Sequence, residues 1–197
     1  MNDKVLKLPQ KSDGEDYLRC IAPDVKLGTG VYLSKFINLY GCQIGDHCKV
    51  GAFAEIQKGV TIGNNTKICT NTLICSGVKI GSGCFIGNGT VFVNDNHPRA
   101  LNEKGALEIF DDWKNRYVET VIEDYVSIGS NCTIIGGITI GRGAIIGAGS
   151  VVTKDVPPGE VWVGNPALSM RYRKGLLGFI RGIIYRIADL FTKERHI

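Results

Sequence analysis

The chain has no apolar run approaching the roughly eighteen residues that a membrane-spanning helix requires. Met1 to Gln10 is polar and lacks a signal-peptide core, so the expected compartment is the cytosol. No Cys-x-x-Cys pair occurs, and the seven cysteines are an odd number, which favours free thiols over disulfides or a metal. Cys48, Cys84 and Cys132 are expected to be small inward-facing residues, with Cys69 and Cys75 standing where a glycine usually falls. There are only three histidines, too few for a three-histidine zinc enzyme: His196 lies in the tail and His47 at a turn. No basic stripe with interleaved aromatics is present, and a net charge of +4 suits an anionic small ligand rather than nucleic acid. With 44% hydrophobic and 21% charged residues, the 197-residue chain reads as one soluble domain.

What is present is a period. Isoleucine or valine recurs at every sixth position through Ile44, Val50, Ile56, Ile62, Ile68, Ile74, Ile80 and Ile86. The count resumes at Ile122, Ile128, Ile134, Ile140, Ile146 and Val152. An earlier run, Ile21, Leu27 and Leu33, keeps the step and then slips by one residue before Ile44. Glycine follows the aliphatic at 45, 51, 63, 81, 87, 129, 141 and 147, and small or β-branched residues such as Cys48, Ala54, Val60 and Thr66 sit four places on. A six-residue period fits neither a helix nor a hairpin sheet. It predicts an all-β parallel β-helix in which three hexads close one triangular coil. Glycine and asparagine are expected to take turn conformations that other side chains disfavour. The sequons at Asn64, Asn88 and Asn131 read as such turn chemistry, not as glycosylation sites.

The organisation follows from where the period stops. Residues 1–20 read as an N-terminal arm or cap, 21–167 as the parallel β-helix, and 168–197 as a C-terminal tail. Within the solenoid, residues 94–120 carry no hexad. They are polar, charged and aromatic, and the coil resumes in register beyond them, which marks a functional excursion. The stretch 157–167 turns the chain out of the solenoid. In the tail, Leu176, Phe179, Ile180, Ile183, Ile187 and Leu190 share one face of a predicted amphipathic helix, with Arg181, Arg186, Lys193 and Arg195 opposite or beside it. Residues 174–197 have two readings: a cap on the last coil or a neighbouring subunit, and a basic helix lying on an anionic membrane.

The excursion carries the chemistry. It opens Asn94-Asp95-Asn96-His97-Pro98-Arg99, an imidazole, a carboxylate, two carboxamides and a guanidinium within six residues. His97 is the candidate general base, because imidazole exchanges a proton near neutral pH, and Asn94 and Asp95 are the catalytic candidates beside it, expected to orient the nucleophile, or Asp95 to fix the imidazole tautomer. The competing structural reading is that it packs beside Pro98 and shapes the loop.

The hexads, the opening FVNDNHPRA, the re-entry YVSIGSNCTIIGGITIGRGAIIGAGSVVTKDVPPG and the exit VWVGNPA resemble the left-handed β-helix acyltransferases. Within them the likeness is greatest to the N-acetyltransferases of nucleotide-linked 3-amino sugars used in bacterial surface polysaccharides, and it spans about residues 21–170. The resemblance implies a homotrimer of parallel solenoids, acetyl-CoA as co-substrate in the groove between subunits, no metal, and an active site built partly from the protruding loop. It implies that Asn94 contacts the reacting amine, and that Asp95 and Arg99 shape the sugar pocket. It further implies that Gly129, Ser130, Gly147 and Ala148 border the pantetheine, with Lys154 near the coenzyme phosphates. His97 departs from the family: an aromatic residue commonly precedes the proline. A His-Pro pair there resembles the sugar O-acetyltransferases of the same superfamily, where the histidine is the base. An O-acetyltransferase of a sugar or small hydroxylated acceptor therefore stands as one alternative, and a non-enzymatic solenoid scaffold as another.

Overall fold

A computed structural model describes residues 18–170. The predicted tail helix and most of the N-terminal arm lie outside the described residues. Two- and three-residue strands wind into three sheets of seven, six and eight strands, parallel throughout but for the last pair of the eight-stranded sheet. The first sheet runs from Arg19–Ile21 through Ile37–Leu39, Glu55–Ile56, Leu73–Ile74, Val91–Phe92 and Thr133–Ile134 to Val151–Val152. Successive strands of the chain fall on successive sheets, so every third strand pairs, and the result is the left-handed parallel β-helix expected from the hexads. Such short strands are stable only because each coil stacks on its neighbours.

The register explains the slip in the period. Ile56 pairs with Ile74, 18 residues on, whereas Leu39 pairs with Ile56 and Leu27 with Ile44, 17 residues on. One residue is missing at the Tyr40–Gly41 corner, where Gly41 has φ +57°. The excursion is absorbed in the same way: Val78 pairs with Thr120 and Val91 with Thr133, each 42 residues apart. Against an 18-residue coil, that leaves 24 extra residues.

The aliphatics at the sixth position form the buried column, from Leu39 and Val50 through Ile86 and Phe92 to Ile146 and Val152. The small position four places on is buried as well, in Cys48, Ala54, Thr66, Thr72, Cys84, Thr90 and Cys132. Its hydroxyls donate to nearby carbonyls, Thr66 to Gly81 and Thr90 to Gly87, each at 2.9 Å. All seven cysteines are free, and burial pushes the Cys48, Cys84 and Cys132 thiols above their ordinary value.

Two kinds of glycine separate here. Those directly after the aliphatic do not have positive φ; they are small because the next coil lies on them. A Cβ on Gly129 would sit 2.5 Å from the Ala148 nitrogen, and one on Gly87 2.6 Å from that of Ser130. The left-handed conformation belongs to residues two places on, among them Gly83, Gly89, Gly143 and Gly149 together with Asn65, Asn71 and Asn131. Of the three sequon asparagines, only Asn131 takes the expected turn geometry. Asn64 and Asn88 instead use their side chains: Asn64 accepts from the Asp46 N–H at 2.8 Å and Asn88 from the Thr70 N–H at 3.1 Å. The first belongs to a corner ladder in which Asp46, Asn64, Ser82 and Asp124 each accept a backbone N–H from the coil before.

At the exit, Val161–Val163 pairs in parallel with Ile145–Ile146 and folds back onto Leu168–Ser169 as an antiparallel pair. Trp162 covers the end of the buried column.

Candidate active site

The excursion leaves the corner after Val91–Phe92 and returns at Thr120–Ile122. Its ends meet: the Val118 N–H donates to the Asn94 carbonyl at 3.1 Å. Polar side chains close it. The Asn96 carboxamide grips Gly136 in the next coil at both atoms, donating to its carbonyl at 2.9 Å and accepting from its N–H at 3.0 Å. Arg116, in the 3-10 turn Lys114–Arg116, donates from Nε to Asp95 at 2.9 Å and forks onto the two Glu108 oxygens at 2.9 and 2.5 Å. The Glu108 side chain is almost wholly buried by this pairing. Between the clamps a short helix, Phe110–Trp113, is capped by Asp112, which accepts the Ile109 N–H at 2.9 Å, and Trp113 packs on Phe110 and Tyr117.

The residues of the opening motif take different roles. Asn94 is buried and donates to the Ser76 carbonyl at 3.0 Å, while its carboxamide also meets the Tyr117 hydroxyl. Asp95 does not hold the imidazole: one of its oxygens accepts the His97 backbone N–H at 2.9 Å and the other accepts Arg116. Burial pushes its carboxyl up, but those two donors outweigh it and hold it below the usual aspartate range. His97, Pro98 and Arg99 are exposed on the rim. The imidazole makes no hydrogen bond among the described residues, so both of its ring nitrogens are open to a ligand.

The proposed coenzyme residues divide between two corners. Gly129, Ser130, Gly147 and Ala148 stack together at the corner leading into the first sheet, where the Gly129 N–H donates to Ile146 and the Gly149 N–H to Ser130. Lys154 stands at the other corner of that sheet. The pairings of Val91 with Thr133 and Thr133 with Val151 put Asn94, Gly136 and Lys154 in one column. Lys154 is exposed, its ammonium 6.0 Å from the Trp162 ring centre. The adjoining face has a shallow open groove of about 420 Å³ lined by Lys79, Val121, Glu123, Asp124 and Arg142. No residue of the excursion's opening motif lines it. Among the described residues no group of His, Cys, Asp or Glu is arranged to hold a metal, and no helix is long and apolar enough to cross a membrane.

Sequence reasoning passes over Arg116, Glu108 and Tyr117, because aperiodic loops give no pattern from which pairing can be read. Tyr40, Glu55 and Gln57, on the coils beneath, are missed as well. For Glu55 a signal existed. Among the described strands it is the one acidic residue at the outward position just before the buried aliphatic.

A triangular parallel solenoid wound from six-residue repeats is the architecture of hexapeptide-repeat proteins. The family described as bacterial transferase hexapeptide (six repeats) matches residues 41–75, 59–94 and 119–154, and the chain carries hexapeptide repeats over those residues. The bifunctional protein GlmU of Methylibium petroleiphilum is 31% identical over 146 residues, which are 74% of this chain but 32% of that relative. The chain thus spans about a third of that relative's length. A hexapeptide-repeat-containing acetyltransferase from Vibrio cholerae O1, solved with acetyl coenzyme A, superposes with a TM-score of 0.53 at 26% identity over 66% of this chain and 70% of its own. AntD, an N-acyltransferase from Bacillus cereus solved with dTDP and 3-hydroxybutyryl-CoA, shares the fold at a TM-score of 0.61 and 19% identity over 79% of this chain and 89% of its own.

Proposed function

We propose that this chain is an acetyl-CoA-dependent acetyltransferase that modifies the amine of a nucleotide-linked amino sugar destined for surface polysaccharide. The observation that carries the reading is the excursion: a polar loop pinned by Asn96 and Arg116 that joins an exposed His97 to a buried carboxamide, Asn94, three residues before it. The likeness to the Vibrio acetyltransferase supports acetyl-CoA as the donor. Residues 96–99 of the motif sit open to solvent on a single chain, which fits a site completed by a neighbouring subunit of a homotrimer.

The reaction is direct acyl transfer in a ternary complex. The acceptor nitrogen attacks the thioester carbon, the neutral His97 imidazole takes the proton that the nitrogen sheds, and coenzyme A leaves as the thiolate. General-base help of this kind contributes on the order of a hundredfold to ten-thousandfold, and holding both substrates in place contributes further. A backbone N–H of an adjacent coil would steady the oxyanion. The pinned Asp95, with both oxygens engaged, serves to fix the backbone at His97 rather than to exchange protons. A cysteine nucleophile does not fit, since the buried thiols are pushed away from the thiolate.

The exposed imidazole also fits a hydroxyl acceptor, which needs a base more than a neutral amine does. Thiol release from acetyl-CoA against paired amino and hydroxy nucleotide sugars separates the two. His97→Ala is expected to lower turnover at saturating substrates by about a hundredfold. Unchanged turnover across pH 6 to 9 would remove His97 from the mechanism.

A further inference from the structure

Beneath the excursion, on the outward face of the first sheet, Glu55 lies between Asn38 and Leu73 in the register. It is half-buried, and both of its hydrogen bonds land on one oxygen: the Tyr40 hydroxyl donates to Oε1 at 3.2 Å and the Gln57 amide at 2.9 Å. Among the described residues, nothing reaches Oε2 and no lysine or arginine pairs with the carboxylate. Gln57 is fixed in turn. Its carbonyl accepts the Ser76 N–H at 3.2 Å, and the Ser76 carbonyl accepts the Asn94 carboxamide at 3.0 Å. One coil of hydrogen bonds therefore joins Glu55 to the buried amide under the reacting centre, with Cys75 and Tyr117 alongside.

Among the described residues, this carboxylate is held firmly through one oxygen and has no cation beside it. Its charge is felt by its neighbour: the Tyr40 phenol is pushed up to about 12, by burial first and by Glu55 next. An oxygen left with open lone pairs accepts and never donates. An ammonium group only donates and carries the complementary charge, so the bond it makes there is stronger than one from a neutral hydroxyl.

We infer that Glu55 selects an amine-bearing acceptor over its hydroxyl counterpart, its Oε2 accepting an N–H from the protonated amino group as the sugar docks. This deepens, and rests on, the reading of the site as an amino-sugar acetyltransferase. Recognition breaks no bond; the ammonium then loses one proton to solvent, the neutral amine attacks, and His97 takes the second proton as the amide forms.

The test is Glu55→Gln in the full chain. The side chain keeps its shape, and its oxygen can still accept from Tyr40 and Gln57. Thiol release from acetyl-CoA is followed with UDP-, dTDP- and GDP-linked 3-amino sugars and with their 3-hydroxy counterparts. For the amino sugar that the native chain acetylates, KM is expected to rise about tenfold or more in the variant. The KM for acetyl-CoA should stay within about twofold, and any hydroxy-sugar turnover should be spared. Raising salt should raise the native amino-sugar KM more steeply than that of the variant, in which only the nucleotide's charges are left to be screened. Calorimetric titration of the amino sugar without acetyl-CoA should show the same loss, separating recognition from chemistry. An unchanged amino-sugar KM and binding in the variant overturns the inference while leaving the acetyltransferase standing. If the native chain releases thiol with no amino sugar, both fall together.

Discussion

Arg116 holds more of the excursion than any residue of its opening motif. A guanidinium forked onto Glu108 and bonded to Asp95 ties the far arm of the loop to the residue two places before His97. Lysine could supply the charge but not the planar fork. Arg116→Lys should therefore behave like Arg116→Ala: faster limited proteolysis within residues 94–120 and an acceptor KM raised severalfold. Melting should move by only a few degrees, because the coil itself is untouched. The Asp95 carboxyl sits below its ordinary value in the folded loop. Its contribution is thus present above the unfolded aspartate value of about 3.9 and is lost as pH falls through the lower folded one. Cleavage of the native excursion by an acid protease should rise below about pH 4, relative to a substrate with no such clamp, whereas that of Arg116→Ala should stay flat. An equal acid response in both would rule out the Asp95–Arg116 pair as the latch. None of this is legible in the sequence. Asp95 and Arg116 stand 21 positions apart in a stretch with no period, and either could pair with several neighbours.

At the scale of the hexad the sequence is far more explicit. One buried aliphatic per six residues fixes strand, face and register together, since every pairing repeats the same geometry with only the coil number changed. The slip before Ile44 and the resumption at Ile122 both read out as corner events, a missing residue at Tyr40–Gly41 and 24 added ones after Asn94. The two roles of glycine are harder to read, because one residue type answers two demands, closeness and left-handed backbone. They separate by mutation. Gly129→Ala places a Cβ 2.5 Å from the Ala148 nitrogen, so the coils must part, and thermal unfolding should show a loss of about 1–3 kcal/mol. Gly143 has φ +68° and open space around its Cβ position, and Asn65 holds the matching turn. Gly143→Asn should cost less than about 1 kcal/mol. The reverse order would mean that contact between coils does not govern the glycine column.

Taken whole, the proposed function divides the molecule's labour: the solenoid would supply rigidity and the excursion the chemistry, and the two should be separable. Val118 donates to Asn94, so the loop's ends already touch. Leu73 pairs with Val91, so Asn94 corresponds to Ser76, and Val78 pairs with Thr120, so Glu119 corresponds to Gly77 with its φ of +87°. Removing Asp95 to Val118 takes out the 24 added residues, and Glu119→Gly then supplies the turn that Gly77 makes one coil earlier. The shortened chain should fold with the native circular-dichroism spectrum and a melting temperature within about 5 °C, since every coil keeps its stacking partners. It should still bind acetyl-CoA through the Gly129 and Gly147 corner but acetylate no sugar, because His97 and the roof over Asn94 are gone. If it failed to bind coenzyme, the excursion would belong to the donor site as well as the acceptor site. If it still acetylated amino sugars at the native rate, the chemistry would have to lie on the bare faces of the coil, and the roles assigned to His97 and Arg116 would be wrong.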